Sequence, residues 1–278
     1  MAASEPIRPP AARTALGSRV VVGAFLAIVA VSDIYAGGPA FSVMIALGVA
    51  LVFREWAIMH RTRPALMIAG IGVLLGVSLL AHLGRVAEAL ALLAVAAPAL
   101  ALLSFVLRRP GKRWLSTGLL YAGLPAVALI WLRAEPDGFA LVMWTMGLVW
   151  ATDIFAYVAG RSIGGAKIWP AVSPSKTWAG LIGGMSAAAL FSALFASAVG
   201  WPVPPLRMVL LGAALAVLAQ AGDFFESWLK RRAGVKDSGR LLGAHGGVMD
   251  RVDGLVPVAC AVAVWAALEP GRLVAEMA

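Results

Sequence analysis

Asp223, Glu226, Ser227 and Lys230 stand at i, i+3, i+4 and i+7 in the run GDFFESWLKRR, so a helix sets all four on one face. Further on, Asp250 and Asp253 are spaced i and i+3. Two acidic faces on consecutive helices can meet. Together they offer oxygen ligands to one or two Mg²⁺ ions, which keep coordination positions open for substrate phosphates. Between them lies AGVKDSGRLLGAHGG. Its glycines (Gly234, Gly239, Gly243, Gly246, Gly247) let backbone N–H groups approach an anion, and Lys236 and Arg240 are candidate phosphate contacts. His245 is a donor, a metal neighbour or a proton shuttle. A competing reading pairs the acids with Lys230, Arg231, Arg232 and Arg251 as ion pairs at the membrane surface. Asp223 fits that reading worst, because it lies about two turns inside the basic end of its helix.

A second polar stretch, DIFAYVAGRSIGGAKIWPAVSPSKTWAG, runs from Asp153 to Gly180. Asp153, Tyr157 and Arg161 share a helical face. Ser173, Ser175, Lys176 and Thr177 precede the next helix, whose N-terminus attracts anions. The phosphate-loop spacing is missing, and SPSKT alone fits a helix cap with a snorkelling lysine equally well.

These groups need a scaffold, and the composition says what kind. Of 278 residues, 61% are hydrophobic and only 13% charged, with a mean hydropathy of +0.89. Soluble domains are about 45–50% apolar and about 25% charged. The chain therefore reads as an all-α, polytopic integral membrane protein with no room for a separate soluble domain. Apolar runs predict nine helices over 20–36, 39–59, 65–83, 86–107, 114–132, 139–160, 178–200, 206–229 and 247–268. The organisation expected is a cytoplasmic tail over 1–19, N-terminal transmembrane helices over 20–113 and a catalytic transmembrane region over 114–278. Cys260 is the single cysteine, which excludes an internal disulfide. The net charge of +9 does not point to nucleic acid, because the bases lie in short loops. Nineteen Lys and Arg fall on the N-terminal tail and alternate loops and four on the opposite side. The positive-inside rule then puts the N-terminus and both polar stretches in the cytoplasm.

The site residues resemble the signature of the CDP-diglyceride synthetases, the phosphatidate cytidylyltransferase family. They do so through Ser227, Leu229, Lys230, Arg231, Lys236, Asp237, His245, Gly246, Gly247, Val248, Asp250, Arg251, Val252 and Asp253. A second matching stretch comprises Asp153, Ala156, Tyr157, Gly160, Arg161, Ser173, Pro174, Lys176, Thr177, Trp178 and Gly180. The resemblance covers about residues 115–268. It implies a multi-pass protein of a bacterial-type inner (plasma) membrane with a cytoplasmic active site. The implied reaction takes CTP and phosphatidic acid, a membrane lipid, to CDP-diacylglycerol and pyrophosphate. Asp223, Asp237, His245, Asp250, Lys230 and Arg251 would be catalytic. Asp223 and Asp250 would hold Mg²⁺, with Asp253 and Asp237 as further ligands or neighbours and a second metal or monovalent ion left open. Arg161, Ser173, Lys176, Thr177, Ser227, Arg231, Lys236, Arg240, Gly246 and Gly247 would bind substrate. A homodimer is also implied. The chain departs from the family at Gly243-Ala244, where Pro-Gly is usual, and at Ala179, where Glu is frequent. Two other readings are a CTP-dependent lipid kinase and a transporter. The complete signature argues against the first. The clustering of charge at one end, without an internal repeat, argues against the second.

Overall fold

The computed structural model describes residues 23, 27–106, 114–239, 241 and 246–268. The apolar runs fold into α1 (Ala27–Ala36), α2 (Gly38–Met59), α3 (Pro64–His82), α4 (Val86–Val106), α5 (Trp114–Ala134), α6 (Gly138–Ser162), α7 (Trp178–Ala198), α8 (Pro205–Ala233), α9 (Met249–Val252) and α10 (Leu255–Leu268). Proline opens α2, α3 and α8, where its fixed φ suits a helix start and its missing N–H costs nothing. There is no strand among the described residues; one isolated antiparallel bridge joins Lys167 to Thr177.

Seven of these helices, α2 to α8, are long and apolar enough to cross a membrane. The fold is that of a multi-pass membrane protein. The two outermost of the nine predicted spans differ. The first corresponds to the short apolar helix α1. The last is broken into α9 and α10, and the break has a local cause. Pro257 has no N–H to offer the Asp253 carbonyl four residues back. That carbonyl lies instead against Gly222 of α8, and the helix restarts beyond it.

α5 is the most buried of the seven, with α2, α3, α4, α6 and α10 around it. It contributes to two apolar cores. One joins α1, α2, α6, α7, α8 and α10 around Trp144, Leu148 and Met208. The other joins α2, α3, α4, α8 and α9 around Phe53, Trp56, Leu74 and Leu119. α6, α7 and α8 approach closely through small residues. Gly180 meets the Ala156 carbonyl, and Gly212 meets Ser192 and Ala188. Membrane helices use such contacts in place of a hydrophobic drive. Leu47, Ile68, Leu79, Val95, Leu102 and Phe105 form part of the exposed outer surface.

Candidate active site

The last turns of α8 organise the site. The helix closes on Gly234, whose φ of 73° suits a residue without a Cβ. Asp223 receives Lys176 Nζ at 2.5 Å on one carboxylate oxygen and the Ser227 hydroxyl at 3.3 Å on the other. Lys176 also donates to Gln220 Oε1 at 2.9 Å and sits 4.7 Å from the centre of the Phe224 ring. The lysine just before α7 is thus fixed to α8. Asp223, Glu226 and Asp253 bring one carboxylate oxygen each within 4.8 Å of one another. Glu226 is 1% exposed, and its buried Oε1 has no hydrogen-bond partner among the described residues. An all-oxygen donor set with an unpartnered buried oxygen suits a hard divalent cation. Burial and the Asp223 carboxylate push the Asp253 carboxyl up to about 7, a cost that a cation among the three would offset. The buried Tyr121 hydroxyl likewise lacks a partner among the described residues; its ring packs on Trp56 and Phe225.

Asp250 is held differently. Lys230 Nζ donates to its Oδ1 at 2.6 Å and to Glu226 Oε2 at 2.9 Å. The backbone N–H groups of Gly247 and Ser238 donate to Asp250 Oδ2 at 2.8 and 3.2 Å. Burial works against its charge, but the bonds with Glu226, Lys230 and the Gly247 N–H hold the carboxyl down at about 2. The break after α9 therefore separates the two predicted neighbours. Asp253 turns to Asp223 and Glu226, and Asp250 turns to Lys230 and the loop. Of the four predicted metal ligands, Asp223 and Asp253 come together with Glu226, whereas Asp250 forms an ion pair with Lys230.

A residue from far upstream completes this arrangement. Glu55 of α2, 2% exposed, accepts from the Val248 N–H at 3.0 Å, the Met249 N–H at 2.9 Å and the Ser238 hydroxyl at 3.2 Å. Glu55 and Gln220 were missed by motif reading. Glu55 did leave a signal, as a lone carboxylate inside the apolar run of α2, where a buried charge requires partners.

The other predicted residues are dispersed. Asp237, Lys236 and Arg231 are exposed, and Asp237 lies outside the three-carboxylate group. Arg161 donates to the Tyr157 hydroxyl at 3.2 Å on an exposed face. Ser173 and Thr177 are buried; Thr177 caps α7 by accepting from the Gly180 N–H at 3.0 Å. Gly246 lies against the Asp250 carboxylate. Arg240, His245 and the Gly243-Ala244 departure lie outside the described residues.

Beside the polar cluster runs an apolar groove of about 1400 Å³. α2 lines it from Pro39 to Val52, opposite Pro125 of α5 and Met146 and Trp150 of α6. It reaches Arg251 and Val252, next in sequence to Asp253.

A profile of the cytidylyltransferase family matches residues 17–268. The chain belongs to the cytidylyltransferase family. Among curated relatives, a phosphatidate cytidylyltransferase of Brucella abortus biovar 1 (strain 9-941) is 39% identical over 269 residues, covering 91% of this chain and 94% of the relative. One from Pseudomonas aeruginosa is 40% identical over 199 residues, covering 67% and 72%. One from Rickettsia bellii is 36% identical over 149 residues, covering 51% and 64%. The cytidylyltransferase match takes in α1 to α10, Glu55 included, whereas the motif resemblance began only near α5. As a cytidylyltransferase the chain is a nucleotidyltransferase.

Proposed function

We propose that this protein transfers CMP from CTP to phosphatidic acid in phospholipid synthesis, at the cytoplasmic face of a bacterial-type inner membrane. A phosphate oxygen of the lipid attacks the α-phosphorus of CTP. The bond from that phosphorus to the bridging oxygen breaks, and CDP-diacylglycerol and pyrophosphate form. The observation that carries this reading is the meeting of Asp223, Glu226, Asp253 and Lys176 beside an apolar groove that Arg251 helps to line. α8 has 29 residues, so it is about 43 Å long at about 1.5 Å per residue, and exceeds the roughly 30 Å hydrocarbon core. Asp223 lies about 15 Å from its C-terminal end, a depth suited to meeting a lipid phosphate from one side and a soluble nucleotide from the other.

Asp223, Glu226 and Asp253 would hold a Mg²⁺-type ion, with Asp250 beside them. When bound, the ion would neutralise phosphate charge and favour departure of pyrophosphate. Lys176, Lys230 and Arg251 supply positive charge around the reacting phosphates. Lys236, Arg161 and Arg240 are assigned to the outer nucleotide phosphates. The attacking phosphate is already ionised at neutral pH, so positioning and charge neutralisation carry the reaction. His245 accordingly orients groups and need not remove a proton. The groove takes acyl chains, and the protein acts as a homodimer.

The test is purified protein in detergent with phosphatidate, labelled CTP and Mg²⁺. CDP-diacylglycerol and pyrophosphate should appear together, vanish with EDTA and return with excess Mg²⁺. Release of CDP with a phosphorylated alcohol would instead identify a lipid kinase. No CTP turnover by folded protein would refute the reading.

A further inference from the structure

We propose that Glu55 is a positioning residue for the transfer reaction: it pins the base of the loop between α8 and α9 and so fixes the acidic cluster. This rests on the reaction proposed above. Glu55 lies between Phe53 and Trp56, both fully buried, so it projects from a closely packed part of α2. Its three donors come from both ends of the loop, Ser238 at the start and Val248 and Met249 at the finish. Asp250 grips the same two ends through the Ser238 and Gly247 N–H groups. The loop is thus closed at its base by two carboxylates from different helices. The backbone is fitted to Glu55 as well: a Cβ at Gly239 would stand 2.5 Å from Glu55 Oε1, and one at Gly247 would collide with Ser238 Oγ and Glu55 Oε2. Asp250 meets Lys230 immediately after this clamp, and Asp253 meets Asp223 and Glu226. A shift of the loop base would therefore move both acids. Glu55 acts through Val248 and Met249, with no role in bond making.

The test uses the full chain in detergent with CTP, phosphatidate and Mg²⁺. Glu55→Gln keeps the size but turns an amide NH₂ toward N–H and O–H donors. Its kcat should fall about 10²-fold, the scale of an ångström-level misplacement at a reacting centre. KM for both substrates should stay near wild type. By hydrogen exchange, the Val248 and Met249 amides should lose protection while α6 and α7 keep theirs. Ser238→Ala removes one donor and leaves the carboxylate. It should cost about fivefold in kcat, the worth of one hydrogen bond. The double variant should be no slower than Glu55→Gln alone, since the residues act as one unit. Wild-type kcat in either single variant, unchanged exchange at Val248 and Met249, or independent effects in the double variant would overturn the proposal. So would a lower thermal midpoint with normal turnover per folded molecule, which is what a merely structural role gives. Absence of turnover in the wild type would refute the reaction, while the exchange measurement would still report on the clamp.

Discussion

Two charged residues on α8, Asp223 and Lys230, have different surroundings, and substitutions should separate their effects. Asp223 is half-buried and holds Lys176. Asp223→Asn keeps the volume and removes the charge. Product formation should fall by about 10²- to 10³-fold, the cost of losing one preorganised electrostatic contact, while the thermal midpoint changes little. Lys230 is different, because it lies between the Glu226 and Asp250 side chains, 1% and 8% exposed. Lys230→Met leaves two buried carboxylates without their cation and should destabilise the protein by about 3–5 kcal/mol. Adding Glu226→Gln should recover part of the thermal midpoint in detergent and none of the turnover.

At the scale of elements, the site depends on how closely α8 meets the joint between α9 and α10. A Cβ at Gly222 would collide with the Asp253 carbonyl and the Pro257 ring. Gly222→Ala should push the joint away from α8 and draw Asp253 from Asp223. Activity should fall by at least about tenfold, and Mg²⁺ should be needed at higher concentration in the turnover assay. Helical spacing correctly grouped Asp223, Glu226, Ser227 and Lys230, because i+3 and i+4 neighbours share a face in any helix. It treated Asp250 and Asp253 in the same way, and there it was incomplete. The local helix breaks before Pro257, and the carboxyls diverge to different partners. The seven long helices were legible from hydropathy because every apolar residue in a spanning segment adds to one signal. The partners of Glu55 were not, because they lie more than 180 positions away and only the folded chain brings them together.

At the scale of the whole molecule, the polar cluster and the apolar groove are adjacent but chemically separate, so one can be altered without the other. Gly48 of α2 lines the groove, and a Cβ there would meet nothing within 4 Å. Gly48→Phe should occupy space otherwise open to acyl chains. KM for phosphatidate should rise severalfold, with KM for CTP unchanged. A short-chain phosphatidate should suffer less than a long-chain one, since each buried methylene is worth about 0.8 kcal/mol.

Glu55 also limits how such a protein can be divided or recombined. Its carboxylate reaches from the second helix to the loop before α9, across the boundary expected near residue 113. A fragment starting at α5 would keep every motif residue yet lack the group that closes the loop. In a chimaera, exchanging the first four helices would be tolerated only where the donor supplies a carboxylate at the position of Glu55. The two halves therefore form one structural unit.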